Sequence, residues 1–245
     1  MNFSKQEIIL QSWKKLKEHI ALWLLVMLFI CVLNLIISSV QEKILSSITT
    51  QSILFTLSAY LFQAGINLGM IGLALNIQNG KTSSFKNIFE SFHVLLKYIL
   101  ATVILLSFII LLCLPGLILF MLSITSNSDF IDISLFERMV YVISILLIII
   151  PAVYTSIRFQ FYNYFLVETD CGVAESLKAS FILTKGYVGE LFILGAYISL
   201  IILISLIPLM LGLLITIPLS VMVNAHVYSL LKNYKKINSI EVQQN

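Results

Sequence analysis

The chain has 245 residues, of which 59% are hydrophobic and only 11% are charged, and its formal net charge is +3. Soluble domains are about 45–50% apolar and about 25% charged, so this composition excludes a water-soluble globular protein. The small net charge gives no reason to expect nucleic-acid binding. The sequence predicts an all-α integral membrane protein in which lipid is the solvent for most side chains.

Six apolar runs are long enough to cross a hydrocarbon core that is roughly 30 Å thick. The predicted spans lie near residues 20–40, 53–77, 98–124, 139–166, 191–207 and 209–231. The first run is longer than the core of a signal peptide and no small-residue cleavage site follows it, so we expect it to remain as span 1. Residues 1–236 are therefore predicted to form a single polytopic membrane domain, with a short polar tail at 237–245.

The last apolar stretch is too long to be a single span, and we therefore divide it into spans 5 and 6. The 41 residues from Leu191 to Leu231 include no charged residue. One helix of that length, at about 1.5 Å per residue, would be roughly twice as long as the bilayer is thick. The chain must fold back, and Pro208 with Gly212 marks the predicted turn. Helix breaks are predicted at all four prolines, Pro115, Pro151, Pro208 and Pro218.

An amphipathic segment precedes each odd-numbered span. The apolar stripes are Ile9, Trp13, Leu16 and Ile20 in the first segment, Phe85, Ile88, Phe89, Phe92 and Leu96 in the second, and Val173, Leu177 and Phe181 in the third. Such segments lie in the membrane interface, or pack as surface helices on the bundle, and the two interpretations are compatible. The chain is predicted to consist of three tandem helix-hairpin units, each with a surface helix, a span and a return span.

Basic residues are distributed unevenly between the two ends of the predicted bundle. Twelve lysines lie on the side that holds both termini and the three surface segments, whereas the other side holds only Lys43 and Arg138. Cytoplasmic loops carry the excess of Lys and Arg in multi-pass proteins. We therefore expect a bacterial inner-membrane protein whose termini and amphipathic surface helices face the cytoplasm.

Arg158 is the one charged residue within the centre of a predicted span. It lies about seven to nine residues, or roughly 10–13 Å, from the inner end of span 4, among the aromatic residues of RFQFYNYF. A long arginine side chain can extend to the interface, and aromatic rings are typical of that region. Arg158, Tyr162 and Tyr164 are predicted to form a structural anchor or a lipid-headgroup contact. A substrate or ion role for Arg158 is the remaining alternative.

Span 2 combines small residues with amides. Gly65, Gly69 and Gly72 follow one another at close helical spacing, which favours close packing of helices, either inside one bundle or in a homodimer. Gln63 and Asn67 lie among these glycines. Both amides are predicted to form an interior polar cluster, in which Asn34 could take part, or to line a translocation path.

A resemblance to a known group is carried by two stretches, IIIPAVYTSIRFQFYNYFLVETDCGVAESLKASFILTKG and TIPLSVMVNAHVY. The matching positions are Pro151, Arg158, Glu168, Asp170, Glu175-Ser176-Leu177, Ser180, Lys185-Gly186, Pro218 and Tyr228. The chain resembles uncharacterised bacterial six-span membrane proteins, which are similar to the membrane domain of some glycerophosphodiester phosphodiesterases. Ala152 departs from the group, which prefers glycine there. The resemblance covers no catalytic domain, so it implies a fold and no activity.

Catalysis or proton transfer inside a membrane needs ionisable groups that face one another, and the other predicted span centres hold none. The three histidines are scattered, the three cysteines have no metal-ligand spacing, and no catalytic motif is present. We expect no enzymatic activity, no metal and no cofactor. The predicted function is a non-enzymatic membrane-organising or accessory protein that contacts membrane lipids, a membrane-protein partner or a second copy. The alternative is a transporter or channel for a small apolar or lipid-like substrate.

Overall fold

The computed structural model describes residues 4–44, 50–125, 135–207 and 211–244, and the described residues form helices and no β-strand. The helices are α1 (Lys5–Glu18), α2 (Ile20–Ile44), α3 (Thr50–Gln78), α4 (Asn87–Glu90), α5 (Leu95–Thr125), α6 (Leu135–Phe159), α7 (Tyr162–Thr169), α8 (Val173–Thr184), α9 (Val188–Ser205) and α10 (Leu213–Gln244), with a 3₁₀ turn at Ser91–Val94. Six helical segments are long and apolar enough to cross a membrane. The predicted six-span, all-α, multi-pass fold is confirmed.

The short helices gather at one end of the bundle. On α1, the Lys15 Nζ donates a hydrogen bond of 3.1 Å to the Gln78 carbonyl oxygen, where α3 ends. The α7 helix is tied to α10 at the same end by an ion pair of 2.6 Å between Glu168 and Lys232. We call this end, formed by α1, α4, the 3₁₀ turn, α7 and α8, the collar. The order of surface segment, span and return span occurs three times along the chain.

Between α9 and α10 the chain reverses its direction, as the length of the uncharged run requires. The Ser205 Oγ lies 3.0 Å from the Thr216 Oγ1 across the two helices. A Cβ atom added to Gly212 would lie 2.6 Å from the Ser205 carbonyl oxygen, so the two backbones approach closely here. Pro208, which was predicted to lie at this turn, is outside the described residues.

Three of the predicted helix breaks are wrong. Pro115, Pro151 and Pro218 all lie inside continuous helices, α5, α6 and α10. A proline removes one backbone hydrogen bond, but in lipid no water competes for the remaining ones, and neighbouring helices compensate for the loss. Span 4 instead breaks between α6 and α7, at Gln160–Phe161, where there is no proline.

The glycines of span 2 form the surface of α3 against which the second surface segment, α4 with the 3₁₀ turn, packs. A Cβ atom on Gly69 would lie 2.0 Å from the Ile88 carbonyl oxygen, and one on Gly65 would lie 2.5 Å from the Phe92 ring. One on Gly72 would lie 2.7 Å from a side-chain oxygen of the 3₁₀ turn. The close packing that these glycines allow is therefore found within one chain, between α3 and the short segment that leads into α5.

The predicted apolar stripes only partly coincide with the buried faces of the surface helices. On α1 the buried residues are Ile8, Ser12 and Leu16. On α8 they are Ser176, Ser180, Leu183 and Thr184, while Phe181 of the predicted stripe is 42% exposed. The α8 helix therefore docks mainly through hydroxyl side chains, which a search for apolar periodicity does not detect.

Candidate functional site

The break in span 4 is held by side chains of α8. The Ser180 Oγ and the Thr184 Oγ1 both donate to the carbonyl oxygen of Arg158, at 3.1 and 3.0 Å. The backbone N–H of Phe161 donates to the Ser180 Oγ at 3.1 Å. A helix break buried in a protein leaves main-chain groups that need partners, and the hydroxyls supply them. Sequence reasoning missed this role, although Ser176, Ser180 and Thr184 follow one another at intervals of four residues on one helix face.

The Arg158 side chain is covered by α8 and is only 4% exposed. Its Cζ atom lies 3.6 Å from the centre of the Phe181 ring and 6.0 Å from that of Tyr154, which are cation–π contacts. One guanidinium nitrogen, Nη1, donates to the Thr184 Oγ1 at 3.4 Å, and the Nε has no hydrogen-bond partner among the described residues. The side chain is therefore enclosed by protein and does not extend freely toward the membrane surface.

Two lysines lie close to this arginine. Lys235, on α10, donates a hydrogen bond to the Ile182 carbonyl oxygen and is repelled electrostatically by both Arg158 and Lys185. Lys185 is exposed at the end of α8. Within the described parts of the chain, no carboxylate forms an ion pair with any of these three residues. We call Arg158, Lys185 and Lys235 the basic cluster.

Tyr162 and Tyr164 are not headgroup contacts, because both side chains are buried in the collar. The Tyr162 ring stacks on Tyr98 with a centroid distance of 5.9 Å, and its hydroxyl lies 2.8 Å from the Thr102 Oγ1. The Tyr164 ring packs against that of Tyr228 at 5.5 Å. The exposed fractions are 8% and 4%, so of the two predicted roles these residues fit the structural anchor and not the lipid-headgroup contact. Aromatic residues near an interface were mistaken for a lipid-facing belt.

The amides of span 2 are only partly in the interior. The Gln63 Nε2 donates a hydrogen bond to the Asn34 Oδ1 and so links α3 to α2. Asn67, one turn further on, is exposed and does not belong to an interior cluster with Gln63. Residues four apart lie on one helix face, but among the described residues only Gln63 of the two amides has a partner on α2. Arg158 contacts Phe181, Tyr154 and Thr184 instead, so Gln63, Asn67 and Arg158 do not form one site.

A polar pocket of about 190 Å³ lies between the end of α3, the α4 segment and α7. The polar and charged side chains that line it include Asn76, Asn79, Lys81, Glu90, His93 and Glu168. None of them was predicted as a site residue, because they are far apart in the sequence and are brought together only by the packing of α4 and α7 on α3.

Lys81 is positioned by the way α3 ends. Gly80 has a φ of +68°, a conformation that glycine adopts without strain. Its N–H donates to the Ile77 carbonyl oxygen at 3.1 Å, and the N–H of Lys81 donates to the Asn76 carbonyl oxygen at 2.9 Å. This is a Schellman motif, which fixes the first residues after a helix. The dipeptide Asn79-Gly80 was its signal in the sequence.

The acidic residues of the pocket are held in place by hydrogen bonds. The Glu168 Oε2 accepts from the Tyr228 hydroxyl at 2.5 Å and from the Lys232 Nζ at 2.6 Å. The Glu90 Oε1 accepts from the Asn87 side chain at 2.8 Å. The His93 Nδ1–H donates to the Glu90 carbonyl oxygen at 2.6 Å, which orients the imidazole ring.

Beside the pocket, Asp170 ends α7. The Lys97 Nζ donates to its Oδ1 at 2.7 Å, and this hydrogen bond holds the pKa of the Asp170 carboxyl below its usual value. The His93 Nε2 lies 4.0 Å from the same oxygen. Within the residues that the structure describes, no group of three or more His, Cys, Asp or Glu side chains is placed to hold a metal ion.

Comparison with known proteins identifies a family. The model of the family described as "Protein of unknown function (DUF975)" matches residues 1–237. No curated protein and no solved structure matches the chain. The expected resemblance to an uncharacterised family is thus supported, whereas nothing links the chain to the membrane domains of glycerophosphodiester phosphodiesterases. The chain belongs to the DUF975 family of proteins of unknown function.

Proposed function

We propose that this protein is a non-enzymatic membrane protein that binds anionic lipid headgroups at its collar and so organises lipid, or partner proteins, around itself. The observation that carries the proposal is the basic cluster, in which a buried arginine and two lysines have no carboxylate partner among the described residues. A buried charge without a counter-ion is costly. The phosphate of an anionic headgroup that contacts Lys185 and Lys235 would supply the missing negative charge.

Exposed lysines on the collar support the same proposal. Lys14, Lys17, Lys86 and Lys178 are exposed on its surface helices and the loop before α4. Basic residues near an anionic leaflet each contribute about 1 kcal/mol to its attraction. By the positive-inside rule, we assign the collar and both termini to the cytoplasmic face of a bacterial inner membrane.

The test compares lipid binding by the full chain and by two charge-matched variants in nanodiscs. The variant Lys185→Gln/Lys235→Gln removes the two lysines of the cluster, and the control Lys43→Gln/Arg138→Gln removes the two basic residues on the side of the bundle opposite the collar. Two lost charges at about 1 kcal/mol each should weaken retention of phosphatidylglycerol over phosphatidylcholine by roughly tenfold or more. Native mass spectrometry of the retained lipids measures this preference. Equal losses in the two variants would mean a general surface effect and would contradict a specific lipid site.

A second candidate function, transport of a lipid-like substrate, is favoured by one observation. An apolar groove of about 290 Å³, open to the surface of the bundle, lies between α5 and α6, with Pro115 and Pro151 in its lining. Leu146 also lines it, and Leu146→Trp should fill it. If the protein transports lipid, liposomes that contain it should translocate a fluorescent phospholipid, and Leu146→Trp should abolish this. Translocation no faster than in protein-free liposomes would exclude this candidate.

A further inference from the structure

The side chains that line the polar pocket of the collar differ in whether they already make hydrogen bonds within the protein. Its carboxylates are already fixed, because Glu168 accepts from Tyr228 and Lys232, and Glu90 accepts from Asn87. Asn87 and His93 use donors of the lining to hold Glu90, but three other side chains that carry donors are not used in this way. Among the described residues, the side chains of Asn76, Asn79 and Lys81 make no hydrogen bond, and Lys81 forms no ion pair although Glu90 lines the same pocket. The pocket therefore presents fixed acceptors and unused donors to whatever enters it.

The charges of the lining favour a ligand that carries both signs. A simple anion is attracted by Lys81 and repelled by Glu90, a simple cation meets the reverse, and the charge of Glu168 is already paired with Lys232. A molecule with a carboxylate and an ammonium group satisfies both. Its carboxylate would accept from the Lys81 ammonium and the asparagine amides, and its ammonium would donate to Glu90 and Glu168.

The volume of the pocket limits the size of the ligand that fits inside it. A volume of about 190 Å³ corresponds to roughly six waters at about 30 Å³ each. It is smaller than the roughly 300–1,000 Å³ of pockets that hold drug-sized ligands. The space suits a molecule with few non-hydrogen atoms.

The lining is built by packed elements rather than by loose surface chain. The backbone of α4 contacts α3 directly at Gly69, where a Cβ atom would lie 2.0 Å from the Ile88 carbonyl oxygen. The Schellman motif at Gly80 fixes the backbone at Lys81. Glu168 is bonded to Tyr228, whose side chain is fully buried. The Glu90 and Glu168 carboxylates, which hydrogen bonds hold in place, lose little freedom when a ligand binds, which favours affinity.

From these observations we propose that the pocket lined by Asn76, Asn79, Lys81, Glu90 and Glu168 binds a small zwitterion of the size of an amino acid. This site is separate from the basic cluster, since it lies between α3, α4 and α7, whereas the cluster lies at the end of α8. It does not depend on the lipid-binding proposal. It would allow a soluble metabolite to be sensed at the membrane surface.

The experiment is isothermal titration calorimetry of the detergent-purified full chain with glycine, serine and glutamine, and with acetate and ethanolamine as single-charge probes. We expect at least one amino acid to bind at least tenfold more tightly than either single-charge probe. Lys81→Met and Glu90→Gln, both at exposed positions, should each weaken that binding tenfold or more. The control Lys86→Met lies in the same loop but outside the pocket lining and should bind as the unmodified chain does.

Each other outcome would overturn the proposal. Acetate or ethanolamine that binds as tightly as the best amino acid would exclude recognition of both charges. Equal weakening in Lys86→Met would place the binding outside the pocket. No heat of binding with any probe at millimolar concentration would remove the site, and because the lipid assay uses different residues, that result would leave the lipid proposal intact.

Discussion

Helices α1 and α8 occupy equivalent places in the collar, each ahead of a span, yet different contacts hold them. The α1 helix buries Ile8 and Leu16 in the main hydrophobic core. The α8 helix buries Ser180 and Thr184, which bond to the main chain of a broken neighbour. Apolar packing tolerates substitutions that keep volume, whereas a hydrogen bond to a buried main-chain group needs a particular atom in a particular place. Two helices with similar roles should therefore respond to mutation by different rules.

The strongest test of this contrast removes the hydroxyls of α8. In Ser180→Ala/Thr184→Val, the Arg158 carbonyl and the Phe161 N–H lose their α8 partners, at a cost of about 1–3 kcal/mol each. We expect the free energy of unfolding to fall by about 2–6 kcal/mol, measured by denaturant titration in mild detergent. The control is Ser176→Ala, because within the described part of the chain the Ser176 Oγ donates only to the Val173 carbonyl oxygen of its own helix. A control as unstable as the double variant would show that the hydroxyls of α8 act merely as buried volume.

The matching test on α1 changes volume alone. Leu16 is 1% exposed, so Leu16→Ala should lower the free energy of unfolding by about 2–4 kcal/mol. Leu16→Met keeps most of the volume and should cost less than about 1.5 kcal/mol. Leu10, which is 67% exposed, provides the control, and Leu10→Ala should change stability by less than about 0.5 kcal/mol. If Leu16→Met were as damaging as Leu16→Ala, α1 would require an exact shape and the contrast with α8 would disappear.

The smallest effect is expected where α7 ends and the chain leads into α8. The hydrogen bond from Lys97 lowers the pKa of Asp170, and His93 faces the same carboxylate. A carboxyl whose pKa is lowered by folding adds stability above its usual pKa, and this stability is lost as the pH falls through the lowered value. Melting temperatures measured from about pH 6 to about pH 3 should therefore decrease more steeply for the unmodified chain than for Asp170→Asn. Parallel curves would mean that this surface ion pair contributes nothing measurable.

The membrane-spanning part of the fold could be read from the sequence because lipid imposes a simple rule. A span needs about 20 apolar residues, and an uncharged run twice that length must turn, as the chain does between Ser205 and Leu213. The glycines of span 2 were also informative, since close approach of two backbones leaves few alternatives to small residues. The length rule for spans did not reveal which segment packs against those glycines. That segment, α4 with the 3₁₀ turn, is mostly polar and aromatic.

The candidate sites depended on contacts between distant parts of the chain. Arg158 is enclosed because span 4 breaks just after it and α8 folds back over the break, and no local pattern predicted either event. The pocket joins Lys81, Glu90 and Glu168 from three elements, and each residue alone is typical of a solvated surface. The prolines were misjudged because the cost of a missing hydrogen bond depends on the solvent and on neighbouring helices, which residue type alone does not reveal.

The break at Gln160–Phe161 also determines which way the side chains of α7 face. In an unbroken helix each residue turns by about 100°, so a closed break would give residues 162–169 another phase and another direction. Glu168 would then point away from Tyr228 and Lys232, and the pocket would lose one wall. The hydroxyls of α8 thus help to set the orientation of α7 relative to α10, and with it the position of Glu168 in the pocket.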